Sequence, residues 1–217
     1  APQRRRPSSA AVMTWAPQLE AVGRIASSEE RIAQYTRLLE HALHDTPSAS
    51  LPSLVRTYVD GAVLDPVNTT GAGLPVGRHM LAHLAAQLAA AHIPANILCT
   101  IVSDTLATCE ASSIMGDDEL GPWRVLLAEQ YASLSRWRDA AQALQSITPH
   151  AARRIPQLSF AQLCVRVVEL WLHDLPSHVA EAEQAIKRAN SAILEERDNK
   201  ALVHELWSYH ASVLAIQ

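Results

Sequence analysis

The chain has 217 residues, enough for one large domain or two small ones. Forty-eight per cent are apolar and only 18% are charged, which excludes a globally disordered chain. The net charge of −4 includes the cations Arg4, Arg5 and Arg6, so the remainder is more acidic than the total and poorly suited to neutralising duplex phosphates.

No apolar run approaches the ~18 residues that a membrane span needs, and no apolar signal-peptide core follows the arginines. Ala1 to Ser9 reads as a disordered leader, and 10–217 as a helical-repeat domain. Ser27 with Glu30 makes a capping pattern, after which Ile32, Tyr35, Leu38, Leu39 and Leu43 mark one helical face. Pro52 suits the first turn of a helix running to about Leu64. Gly71, Gly73 and Gly77 predict a long loop before a helix carrying Leu81, Leu84, Ala85 and Leu88. Pro94 opens another helix, with Ile97, Ile101, Val102 and Leu106 inward.

Asp117 or Asp118 begins a segment with Leu126, Leu127, Tyr131 and Leu134, and a shorter helix spans Trp137 to Ile147. Helical spacing recurs in Phe160, Leu163, Cys164, Val167, Val168 and Trp171, then in Val179, Ala182, Ile186, Ala189 and Ile193. The last segment, about Asn199 to Gln217, presents Leu202, Leu206, His210 and Val213. Prolines such as Pro122, Pro149, Pro156 and Pro176 are expected between helices. With no alternating strand pattern, the class is all-α, without β-sheet.

Tyr131, Trp171 and His210 recur late in three of these helices, at intervals near 40 residues. Leu127, Ala128, Tyr131, Ala140 and Leu144 match tetratricopeptide spacing, in which a small residue lets two helices approach and an aromatic fills the groove beside it. Trp137 belongs to this first pair, and Val167, Trp171, Ala182, Ile186 and Ala189 pack the second. The expectation is a right-handed superhelix of antiparallel, tetratricopeptide-like or HEAT-like pairs. The third pair has a first helix and no second, so the chain reads as stopping inside a repeat. Trp123, Trp137, Trp171 and Trp207 are read as core residues.

Candidate chemistry is thin. His79 and His83 have i, i+4 ligand spacing, but Met80 breaks the H-E-x-x-H pattern, and Ser208 breaks it after His204-Glu205. His41 and His44 have no carboxylate placed to complete a set. Gly71-Ala72-Gly73 with Gly77 has the wrong spacing and setting for a dinucleotide loop. Asn68-Thr69-Thr70 is a glycosylation sequon, expected to be unused. Arg153 and Arg154 fall in a predicted loop. Cys99 and Cys109, ~15 Å apart on one helix, lie too far apart to pair, and with Cys164 are read as reduced buried thiols. No nucleophile–base pair stands out, so no catalytic residue, metal or cofactor is expected.

The stretch Leu126-Leu127-Ala128-Glu129-Gln130-Tyr131, followed by Arg136-Trp137-Arg138-Asp139-Ala140-Ala141-Gln142-Ala143-Leu144, resembles the paired helices before the PCI domain in the subunit 4 family of the COP9 signalosome. Val167 to Leu172, Ala180-Glu181-Ala182-Glu183, Ile186-Lys187-Arg188-Ala189 and His210-Ala211-Ser212-Val213-Leu214 extend the likeness downstream. Gly77-Arg78-His79-Met80-Leu81 and Tyr35-Thr36-Arg37-Leu38-Leu39-Glu40 extend it upstream. The resemblance implies helical repeats preceding a PCI winged-helix module, with the chain ending before that module would fit. It also implies a noncatalytic arm in the ubiquitin pathway, located in cytoplasm and nucleus. Its implied partners are the other signalosome subunits and the cullin–RING ligase from which NEDD8 is removed, with neither nucleic acid nor membrane. The alternative is the equivalent arm of a proteasome-lid subunit.

Overall fold

The computed structural model describes residues 15–155, 158–174, 177–195 and 200–215. The leader expected at 1–9, and Pro156 and Pro176, lie outside the described residues. Helices and no strand occur among the described residues, so the chain is all-α, as its periodicity predicts. The chain divides into two units between Glu119 and Leu120.

The first unit holds α1 (Trp15–Gly23), α2 (Ser28–Asp45), α3 (Leu51–Tyr58), α4 (Pro66–Thr69), α5 (Leu74–Ala90) and α6 (Ala95–Ser112). Ser27 caps α2, its hydroxyl accepting from the Glu30 N–H at 3.3 Å. Tyr35, Leu39 and Ala42 form the buried stripe of that helix. Helix α2 packs on α5, and α3 on α6. The helix expected from Pro52 to Leu64 changes pitch at Val59: Val59–Val63 is a π turn, closed by the Leu64 N–H on the Val59 carbonyl at 2.8 Å. Ala62 and Val63 of this turn are fully buried.

A buried polar network ties the unit together. Asn68 donates from Nδ2 to the Tyr35 hydroxyl at 3.2 Å and to the Ala62 carbonyl at 3.0 Å. Tyr58 donates to the Met80 sulfur at 3.3 Å and meets Tyr35 edge-on, with ring centroids 6.4 Å apart. These bonds satisfy the Asn68 nitrogen and the tyrosine hydroxyls, which lowers the cost of burying them, while the Asn68 Oδ1 is buried without a hydrogen-bond partner.

The long loop predicted around Gly71 to Gly77 is shorter than expected. A single 3₁₀ turn occupies Gly71–Gly73, and Gly77 lies inside α5. An added Cβ on Gly77 would stand 2.6 Å from the Val63 carbonyl oxygen and 2.7 Å from that of Asn68. The glycine is there for close backbone approach rather than for a turn.

The second unit takes most of α7 (Asp117–Ser133), with α8 (Trp137–Gln145), α9 (Pro149–Ala152), α10 (Phe160–Leu172), α11 (Val179–Glu195) and α12 (Lys200–Leu214). Ser159 and Gln162 form a reciprocal capping box on α10. Helix α10 is central, packing on α8, α11 and α12, while α11 also packs on α12. Pro122, expected between helices, lies inside α7. It sits near the N-terminal end, where the one bond it cannot donate would have gone to Asp118. Ser135 turns the chain into α8 with a left-handed φ of 57°.

All three cysteines are buried thiols outside any disulfide. Burial, with smaller contributions from Glu110 and Asp60, pushes the Cys109 thiol up to about 11.

Candidate protein-binding surface

The repeat-packing residues read from the sequence fall into three groups. Leu127, Ala128, Ala140, Leu144, Val167, Trp171, Ala182, Ile186 and Ala189 are all buried, Ala140, Ala182 and Ala189 completely. Tyr131 and Trp137 are half-buried against the same core. Each is covered on one side by a polar neighbour: the Arg136 guanidinium lies 4.4 Å over the Tyr131 ring, and His173 stacks on Trp137 at 4.3 Å. His210 is exposed, which corrects its placement as a core residue. The buried stripe of α12 runs through Leu202, Leu206 and Val213, and the half-buried Tyr209 takes the turn between them. One position further along, about 100° around the helix, His210 points off that stripe.

Trp207 is likewise 70% exposed, not core, and Leu194 and Leu214 are also exposed. Asn68, the sequon residue, is fully buried.

One concave feature of this unit is a groove of about 440 Å³ bordered by α7, α10 and α12. These are the helices that carry the recurrent Tyr131, Trp171 and His210. Small residues on α7, Ala128 and Ala132, open the space, and Val125, Leu158, Leu163, Leu170 and Leu202 supply apolar walls. Four charged side chains border it: Glu129, Arg166, Glu169 and Glu205. Arg166 pairs with Glu169 one turn on. Glu205 accepts from the Tyr209 hydroxyl at 2.9 Å. Desolvation raises the Glu129 carboxyl above its ordinary value, with Arg166 opposing it. Burial first, then the bond to Glu205 and the charges of Glu169 and Glu205, push the Tyr209 phenol up to about 12. The groove is therefore apolar at its floor and negative at its rim.

These rim residues were not singled out by motif. A signal is nonetheless present, because Glu129 and Glu169 each stand two residues before the recurrent aromatics Tyr131 and Trp171. Among the described residues, no three His, Cys, Asp or Glu side chains converge as a metal-ligand set. His79 is exposed while His83 is half-buried. No helix among the described residues is long and apolar enough to cross a membrane.

No protein-family model matches the chain. Over 80% of its length it is similar to COP9 signalosome complex subunit 4 of Caenorhabditis elegans, 27% identical across 189 aligned residues. The chain spans 45% of that protein.

Proposed function

We propose that the chain is a noncatalytic scaffold and recognition arm of a COP9-signalosome-type assembly, contributing surface to cullin–RING ligase binding while NEDD8 is removed elsewhere in the complex. The similarity to the nematode subunit carries this reading, because it covers both units of the all-α chain rather than one short motif. The helical-pair architecture of the second unit supports it, since stacked pairs leave an extended face free for partners. The other signalosome subunits are then its stable partners, a neddylated cullin–RING ligase is a transient one, and cytoplasm and nucleus are its compartments.

Affinity capture with the purified chain tests the proposal. Signalosome subunits should be retained, and a neddylated cullin should be held weakly, with micromolar or poorer affinity, because one arm offers only part of a standard interface. Retention of proteasome-lid subunits instead would move the arm to the alternative assembly. Release of NEDD8 by the purified chain alone would overturn the noncatalytic reading.

A further inference from the structure

The groove bordered by α7, α10 and α12 has a chemistry that selects its occupant. Its floor is apolar, with Val125, Ala132 and Leu158 half-buried and so still able to give up water-exposed surface to a bulky side chain. Its rim carries three carboxylates, on Glu129, Glu169 and Glu205, against the one guanidinium of Arg166. Since Arg166 is engaged with Glu169, the balance facing an incoming ligand is negative. A neutral apolar ligand would strip water from these carboxylates without compensation, and an acidic one would be repelled. A cation beside the apolar anchor offsets both costs.

We propose that this groove docks a partner-protein segment that places one bulky aliphatic side chain on the apolar floor and flanks it with lysine or arginine against Glu129 and Glu205. The proposal rests on the reading of the chain as a recognition arm and names the kind of segment the arm recognises. Two features of the groove support it. Desolvation raises the Glu129 carboxyl despite the nearby Arg166, and the Tyr209 phenol is raised by burial and then by the carboxylates of Glu205 and Glu169, so a cation seated beside the three rim carboxylates would relieve both. Further, the apolar space is built by small side chains, Ala128 and Ala132, on the helix that opens the first pair.

The test uses the full chain and a fluorescein-labelled peptide with leucine between pairs of lysine and arginine, read by fluorescence anisotropy. Two matched peptides replace the leucine with serine or the basic residues with glutamate. The basic leucine peptide should bind, and each control should bind about tenfold more weakly or worse. Binding should weaken with added salt. Ala132→Trp, which fills the space, and the double variant Glu129→Gln with Glu205→Gln should each reduce affinity about tenfold while circular dichroism stays unchanged.

Equal binding of the serine peptide would overturn the proposal, as surface charge alone would explain it. So would full binding to Ala132→Trp, or no binding at all. If removing residues 1–14 raises peptide affinity, the chain's own arginines are the occupant and the partner assignment falls. A dimer in sedimentation that Ala132→Trp abolishes would assign the groove to a second copy instead. Signalosome association measured on the same variants separates the two readings. Peptide binding without that association defeats only the assembly, and association without peptide binding defeats only the groove.

Discussion

Arg188 on α11 closes the end of α8, donating from one terminal nitrogen to the Ile147 carbonyl at 2.8 Å and from the other to Gln145 at 2.7 Å. The last carbonyls of a helix have no partner within it; this guanidinium satisfies that of Gln145 and also that of Ile147, just past the helix end. The same group lies 5.1 Å over the Phe160 ring, so one side chain joins α8, α10 and α11. Arg188→Ala should lower stability by roughly 1.5–3 kcal/mol, the range for hydrogen bonds to charged groups. Arg188→Lys should recover only part of this, because an ammonium cannot span both carbonyls as a fork does. Urea denaturation of the two variants checks the order.

Ala140 is completely buried on α8, the helix that packs on α10. Replacing Ala140 with Leu adds volume where none is free, at an expected cost of roughly 1–3 kcal/mol. A denaturation midpoint equal to that of the unsubstituted chain would mean that this position is not a close helix crossing.

Gly77 makes a test with a reversed sign. In an exposed helix interior, replacing glycine with alanine stabilises by about 1 kcal/mol. Here the new Cβ would press on two backbone oxygens, at 2.6 and 2.7 Å, and backbone cannot move aside as a side chain end can. Gly77→Ala should therefore lower the melting temperature, whereas a rise would show the close approach to be absent.

The thiols predict two chemical outcomes. Cys99, Cys109 and Cys164 are buried and not joined in disulfides, so a thiol reagent at neutral pH should label them only after denaturant is added. Cys109 also sets a pH dependence. Its folded-state ionisation is raised from 9.0 to about 11, so between those values the unfolded chain loses a proton that the folded chain keeps. Stability is fully present below that window and falls as pH rises through it, at up to about 1.4 kcal/mol per pH unit for one proton. Cys109→Ala should lose less stability than the parent between pH 9 and 11, as measured by urea titration at each pH.

Legibility in the sequence followed periodicity. Long helices with strong apolar spacing, such as the one holding Val167, Val168 and Trp171, were readable because burial itself imposes the period. Misplacements arose where a rotation of one residue decides exposure: Tyr209 and His210 are both plausible inward residues, and only the neighbouring helices select Tyr209. Gly77 read as a loop residue because sequence shows an absent side chain without showing what occupies the space. The groove was hidden for a related reason. Its walls come from α7, α10 and α12, and a concavity formed by three separated segments has no local spacing of its own.

The burial of Asn68 bears on how the chain is best produced. Glycan transfer to an Asn-x-Thr sequon adds a large hydrophilic group to the side-chain nitrogen. That nitrogen is the one Asn68 donates to Tyr35 and Ala62, in a site with no exposed surface. Once folded, the chain presents no acceptor. In a secretory host, however, transfer meets the chain while it is still unfolded, and a sugar on Asn68 would have nowhere to go in the first unit. Material routed through such a host should partition into a glycosylated, misfolded fraction that enzymatic deglycosylation under native conditions fails to rescue, whereas Thr70→Val, which removes the sequon at an exposed hydroxyl, should restore the yield.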